Sequence, residues 1–193
     1  MNTLKAEKRN MDVKAKKLRR EGFVTGNLFG REIEGSIPVK ISARDAESLL
    51  KTCHKGSQIL LSVEGKRYHA LIKDVNYNSM KHCVEEIDFQ ALVSGQKVHS
   101  VAEVILKRRE QVTEGVLDEA LKEIAYKALP ENLVDQIIVD VGNMRVGDTI
   151  RVKDLEIAGN EKVELLTDPE DIVVTIVAVN NKALEEETEA EEA

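Results

Sequence analysis

Short apolar stretches separated by turn residues dominate the first half of the chain. Residues 57–63 and 67–75 flank Glu64-Gly65-Lys66, a hairpin signal with glycine in the turn. Residues 3–6 have the form of a short edge strand. The same pattern predicts further strands at residues 23–29, 36–41 and 84–92. Strands linked by hairpins, with helices at the margins, favour a small barrel-like β domain.

Two helices are predicted within this β-rich region. Residues 13–21, with the sequence VKAKKLRRE, form a basic helix that Gly22 ends, because glycine tolerates the left-handed conformation of a C-cap. The few apolar positions of this helix leave most of its surface cationic. Ser42 and Asp45 have the form of a capping box and open a second helix that runs through Lys51.

The second half of the chain continues as β structure after a polar break at residues 94–97. A short helical segment is predicted at residues 116–121, and Pro130 ends an alternating strand at residues 124–128. Further strands are predicted at residues 101–106, 137–141, 148–152 and 172–179. The fold class that follows is mainly β with short helices, a β-rich α+β fold.

These patterns divide the chain into two domains and a tail. We expect an N-terminal barrel-like domain over residues 1–92 and a second β-rich domain over residues 93–180. Residues 181–193 contain the run EEETEAEEA from Glu185 onward, which has too little apolar surface to fold. We expect this last segment to be a disordered acidic tail.

Charge is distributed unevenly between the two halves. Residues 1–92 hold 17 Lys and Arg against 12 Asp and Glu, a net charge of +5, whereas residues 93–193 hold 11 against 23, a net charge of −12. This asymmetry indicates a polyanionic partner for the first domain only, although a solvated charged face also explains the charge alone.

The basic segment from Lys14 to Arg20 carries the strongest functional signal. Arginine offers phosphates a rigid planar set of donors, and lysine offers a point charge. A-form RNA exposes phosphates and 2′-hydroxyls across a wide, shallow minor groove, which a β surface with a basic helix can cover. Composition alone does not separate RNA from other polyanions.

Patterns for catalysis are weak in this sequence. No GxSxG, GxxxxGK[ST] or GxGxxG motif occurs. Glu85, Glu86 and Asp88 cluster, and Glu86 and Asp88 would share one face of a strand. Such carboxylates could serve acid–base chemistry, but more often they form the solvent side of an amphipathic strand. We therefore expect a protein without enzymatic activity.

The cysteines and histidines make a poor metal motif. Cys53-His54 and His82-Cys83 resemble mirrored ligand pairs, but adjacent residues point in different directions. Zinc sites usually separate neighbouring ligands by roughly two to four residues. Two small buried thiols and two surface imidazoles are the simpler interpretation, so we expect no metal and no cofactor.

The sequence also lacks the features of a secreted or membrane-spanning protein. No secretory leader opens it, and no apolar run approaches the ~20 residues that a spanning helix needs. Two cysteines are too few for a disulfide scaffold. We expect a cytoplasmic protein with neither a membrane nor a small-molecule partner.

Four longer segments carry a family resemblance. They are KAKKLRREGFVTGNLFG at residues 14–30, KDVNYNSMKHCVEEIDF at 73–89, ALPENLVDQIIVDVGNMRVGDTIRVKDL at 128–155 and LLTDPEDIVVTIV at 165–177. The first two resemble the bacterial large-subunit ribosomal protein twenty-five family. The last two resemble the second domain of its long members, the general stress protein Ctc. The four segments lie in the family's order and cover nearly the whole chain.

The resemblance implies a ribosomal protein of the large subunit. Its barrel-like first domain would bind the loop E region of 5S rRNA, and its second β domain would meet other large-subunit ribosomal components. The family's RNA contacts correspond here to Arg9, Lys14, Lys16, Arg19, Arg20, Phe29, Glu86 and Asp88. Among these, an exposed carboxylate at Asp88 could accept a hydrogen bond from a guanine amino group or orient a neighbouring arginine.

The chain departs from the family pattern at three positions. Phe29 stands where the family usually has tyrosine, Glu86 where it has histidine, and Thr25 where it has proline. Phe29 keeps a stacking face but loses the hydroxyl, and Glu86 places an anion near phosphates. An alternative is therefore a stress-related interaction protein of the same fold, with weakened RNA binding and an acidic second domain that meets a protein. A metal-dependent enzyme built on the Cys/His pairs is a more distant alternative.

Overall fold

In the first half of the chain, six strands close into a barrel. The computed structural model describes residues 2–112 and 115–178 of the protein. The barrel strands are β1 (Asn2–Lys8), β2 (Phe23–Phe29), β3 (Ser36–Ser42), β4 (Gln58–Val63), β5 (Lys66–Asn78) and β6 (Cys83–Ala91). Around the barrel they follow the order β1–β3–β2–β6–β5–β4. The prediction of a mainly β chain that begins with a barrel-like domain is confirmed.

Strand β1 completes the barrel instead of lying at an edge. It pairs in parallel with β4 from Asn2 to Ala6 and antiparallel with β3 at Glu7 and Lys8. Leu4 and Ala6 point into the core. The edge-strand prediction was wrong because a short alternating strand has the same local pattern whether one or both of its sides are paired.

Two short helices lie against this barrel. Helix α1 (Ala15–Arg20) follows β1, and helix α2 (Ala43–Leu50) follows β3 directly. Leu18 is the buried residue of α1, whereas α2 buries Ala46 and Leu49. Ser42 precedes α2 but makes no side-chain hydrogen bond to it, so the predicted capping box does not form. Helix α2 is therefore held by its apolar face.

The second half of the chain forms two further sheets. Strands β7 (Val98–Lys107), β9 (Glu123–Ala128), β10 (Gln136–Asp140) and β12 (Val163–Leu165) pair in the order β10–β7–β9–β12. Strands β8 (Val116–Glu119), β11 (Thr149–Arg151) and β13 (Ile172–Val177) pair in the order β11–β13–β8. Between them lies a core separate from that of the barrel, which includes Ile124, Tyr126 and Val173.

Two local predictions in this half need correction. Residues 116–121 were expected to be helical, but Val116–Glu119 is strand β8, paired antiparallel with β13. The segment is too short for its period to distinguish a helix from a strand, and the pairing with β13 decides the outcome. The three-residue strand β12 had no sequence prediction at all.

The barrel and the second half meet through polar contacts. Ser57 Oγ donates to Asp135 Oδ2 at 3.0 Å, and Gln58 Nε2 donates to the Pro130 carbonyl at 2.7 Å. Lys55 Nζ lies 3.0 Å from Glu123 Oε2. In the described part of the chain, no helix is long and apolar enough to cross a membrane. The predicted acidic tail at 181–193 lies outside the described residues.

Candidate nucleic-acid interface

Helix α1 presents a cationic surface on the barrel. Its single buried side chain is Leu18, and the helix packs against β2. The exposed cations are Lys14, Lys16, Lys17 and Arg20. The last turn is basic, which suits the negative end of the helix dipole. One apolar contact thus leaves the rest of this six-residue helix free to present positive charge.

Arg19 differs from the other cations of α1 because it is bound to strand β6. Its Nε donates to the Glu85 carbonyl at 3.2 Å, and its Nη1 lies 3.3 Å from Glu85 Oε2. The Arg19 side chain remains 34% exposed. This residue therefore anchors the helix to the barrel and stays accessible from outside.

Glu85 also binds the hairpin that joins β5 and β6. Asn78 Nδ2 donates to Glu85 Oε1 at 2.8 Å, and Lys81 Nζ donates to the same oxygen at 3.2 Å. The hydrogen bond from Asn78, followed by that from Lys81 and by the charge of Arg19, holds the pKa of Glu85 below its ordinary value. Glu85 is therefore ionised at neutral pH.

Strands β2 and β6 form a continuous outward face next to α1. The two strands run in parallel, with Thr25 opposite Glu86 and Phe29 opposite Gln90. Asp88 lies between these pairs, and its Oδ1 accepts from the backbone N–H and the side-chain Nδ2 of Asn27, at 3.0 and 3.1 Å. The carboxylate therefore supplies an acceptor to β2. Asp88 is half-buried and fixed, not the freely exposed carboxylate expected from the sequence.

Arg9 follows β1 and is separated from Asp88 on β6 by strands β3 and β2. Its backbone N–H donates to the Pro38 carbonyl at 2.8 Å, and Pro38 pairs with Asn27. Its Nη2 donates to the Val13 carbonyl at 3.2 Å and braces the loop that leads to α1. Among the described residues, Arg9 Nε is a buried donor with no hydrogen-bond partner.

The structure brings most of the predicted site residues together. Phe29, Glu86 and Asp88 lie on the β2–β6 face, and Arg19 of α1 is bound to β6. Lys14, Lys16 and Arg20 are exposed at or beside α1, whereas Arg9 lies on the far side of β3 from β2. We call this surface the α1–β2–β6 face. Sequence reasoning missed Asn27 as the partner of Asp88, and it missed the network around Glu85. The alternation of β2 places Asn27 on the outward face but does not identify its partner.

The Cys/His pairs are separated in the structure. Cys53 is buried after α2 and accepts a hydrogen bond from Asn2 Nδ2 at 2.9 Å. His54 Nδ1 lies 3.4 Å from Glu103 Oε2, whereas His82 and Cys83 belong to the β5–β6 hairpin. Within residues 2–112 and 115–178, no group of three or more His, Cys, Asp or Glu side chains is arranged to hold a metal ion.

The fold and this surface define a binding protein built from a closed barrel and a second β unit. Residues 4–89 match the Ribosomal L25p family, and residues 97–180 match the family described as Ribosomal protein TL5, C-terminal domain. Large ribosomal subunit protein bL25 of Carboxydothermus hydrogenoformans is 35% identical over 174 residues, which cover 89% of this chain and 85% of the relative. The chain belongs to the bL25 family of large ribosomal subunit proteins.

Other relatives match across nearly the full length of both chains. The bL25 protein of Bacillus velezensis is 29% identical over 98% of this chain and 94% of its own. That of Caldanaerobacter subterraneus subsp. tengcongensis is 28% identical over 98% and 96%. The resemblance to the long, two-domain form is thereby confirmed. The protein is a ribosome-associated protein of the large subunit and not an enzyme.

Proposed function

We propose that this chain binds 5S rRNA through its first domain, residues 1–92, at the loop E region. Its second domain, residues 93–180, then contacts other components of the large subunit. Membership of a large-subunit ribosomal family and the net charge of +5 on residues 1–92 both support this proposal. The contrasting charge of −12 on residues 93–193 supports an RNA role for the first domain alone.

The single observation that carries the proposal is the attachment of a cationic helix beside the outward face of β2 and β6. Lys14, Lys16 and Arg20 are exposed there and suit phosphate oxygens. Asp88, already fixed by Asn27, keeps one carboxylate oxygen to meet a base amino group. Phe29 is half-exposed on the same face and offers a ring on which a base can stack. Arg9 and Arg19 complete the set from either side of the face.

The test is binding of the whole protein to a 5S rRNA loop E fragment and to an unrelated RNA hairpin, at about 50 and 200 mM salt. We expect tight, selective binding that weakens as salt rises. Arg20→Ala should weaken binding and lower the slope of log affinity against log salt by about 1, because one phosphate contact is lost.

The matched control is Arg67→Ala, which removes another exposed arginine, at the start of β5 and outside the α1–β2–β6 face. It should leave the affinity close to that of the wild type. Equal affinity for both RNAs would count against the proposal, and equal losses in the two variants would show that only overall charge matters.

One observation favours a second candidate function. Glu86 lies on the proposed RNA face without a hydrogen-bond or ion-pair partner among the described residues, so its carboxylate would repel phosphates. A stress-related interaction protein with the same fold and weaker RNA binding would tolerate this charge. Weak binding of the wild type with no preference for loop E would favour that candidate.

A further inference from the structure

Glu85 links strand β6 to helix α1, to the end of β5 and to the turn between β5 and β6. Its carboxylate and its carbonyl bind Arg19 of α1, while the same carboxylate binds Asn78 at the end of β5 and Lys81 in the following turn. The Glu85 side chain is 19% exposed, whereas Lys81 is 69% exposed. A mostly covered anion therefore lies between two cations that remain accessible.

Helix α1 needs such an attachment to keep a fixed orientation. It has six residues, and helices this short are unstable unless tertiary contacts hold them. Besides Leu18, which is buried, Arg19 provides the contacts to β6. The Lys14 residue that precedes the helix makes no side-chain cap. Loss of the Glu85 carboxylate would leave only the buried Leu18 and the hydrogen bond from Arg19 to the Glu85 carbonyl among these contacts.

We propose that Glu85 is a positioning residue of the RNA-binding surface, which holds Arg19 and Lys81 so that α1 and the β5–β6 hairpin present their cations as one rigid array. The inference rests on the proposed function. It also extends the RNA surface to Lys81, whose ammonium group lies beyond the predicted set of contacts. Rigid placement strengthens binding because the ordering of the cations is complete before the RNA arrives.

A Glu→Gln substitution removes one negative charge at nearly constant shape, and the direction in which it changes RNA affinity separates a positioning role from simple electrostatics. Removal of any carboxylate near RNA phosphates should strengthen binding if charge alone matters. Removal of a positioning carboxylate should weaken binding despite the more favourable charge. Glu86→Gln is the matched control for Glu85→Gln, because it makes the same change one residue away, where the carboxylate has no partner among the described residues.

The experiment measures affinity for the loop E fragment and for the unrelated hairpin with wild type, Glu85→Gln and Glu86→Gln. Amide hydrogen exchange in α1 is followed in the same proteins without RNA. We expect Glu85→Gln to weaken loop E binding roughly three- to tenfold and to speed exchange in α1, since charge-assisted hydrogen bonds are lost. Glu86→Gln should bind more tightly than the wild type, because it removes from the RNA face a carboxylate with no partner among the described residues, and exchange in α1 should not change.

A second variant covers the case in which Glu85→Gln fails to fold. Arg19→Lys keeps the charge of α1 but removes the Nε donor that reaches the Glu85 carbonyl, so it should also weaken binding and speed exchange. Unchanged or tighter binding by Glu85→Gln, with the wild type selective for loop E, would overturn the positioning role. Absence of selective binding by the wild type would overturn the proposed function instead, and exchange in α1 would then decide whether Glu85 holds the helix.

Discussion

At the scale of single residues, three neighbouring carboxylates have three different environments. Glu85 binds Arg19, Asn78 and Lys81, and Asp88 accepts two hydrogen bonds from Asn27. Glu86 lies on the same face without a partner among the described residues. Because a carboxylate's effect on RNA depends on its own partners, the cluster does not act as one acidic patch.

Glu86→His tests the residue that departs most from the family pattern. It replaces an anion on the β2–β6 face with a hydrogen-bond donor. We therefore expect the Kd for the loop E fragment at pH 7 to fall roughly two- to tenfold. Fluorescence anisotropy with a labelled fragment measures this change, and Phe29→Tyr, tested separately, shows the effect of the missing hydroxyl. If both variants bind like the wild type, the argument that this chain has lost RNA affinity through these positions fails.

At the scale of elements, the α1–β2–β6 face depends on how closely β2 approaches β6. A Cβ atom at Gly26 would overlap the Ile87 carbonyl oxygen, so only glycine permits the observed distance between these two strands. The hydrogen bonds from Asn27 to Asp88 form in the very next position along β2. The short distance between β2 and β6 therefore allows the barrel core to pack closely and also brings Asn27 within hydrogen-bonding reach of Asp88.

Gly26→Ala should destabilise the barrel by about 1–3 kcal/mol or more, because the added methyl group forces β2 away from β6. Urea unfolding of the whole protein measures this loss of free energy. Gly159→Ala is the control, since Gly159 has open space around it and does not occupy the left-handed region; its effect should stay within about 0.5 kcal/mol. Equal stabilities of the two variants would contradict the close-packing argument.

At the scale of the whole molecule, hydrogen bonds and ion pairs connect the two halves. Ser57 with Asp135 and Lys55 with Glu123 are examples, and each half has its own apolar core. Exposed ion pairs contribute only about 0–1 kcal/mol each to stability. A close backbone contact also holds the two halves together. Gly56 provides that contact, because a Cβ atom there would overlap the Val101 carbonyl oxygen of β7.

Gly56→Ala should separate the two halves without damaging either core. Gly65→Ala is its control: both glycines have positive φ angles, +90° and +85°, but Gly65 has nothing within 4 Å of the added methyl group. Both variants should lose about 1 kcal/mol through backbone strain. Only Gly56→Ala should increase the radius of gyration measured by small-angle X-ray scattering, and an unchanged radius would show that the joint tolerates the methyl group.

Local patterns in the sequence determined the β class of the fold, the position of strand β2 and the basic helix that ends before Gly22. They also identified the cationic residues of the candidate site, because charge and side-chain chemistry do not depend on the fold. The segment at 116–121 shows the limit of such patterns, since its pairing with β13 overrode the helical prediction.

The tertiary structure alone decided which distant residues meet. Arg19 binds a residue 66 positions away, Asp88 binds one 61 positions away, and Ser57 reaches one 78 positions away in the second half. It also decided that β1 would close the barrel. Hydrophobic periodicity records only which side of an element is buried, whereas partners depend on strand register and on packing across the whole chain.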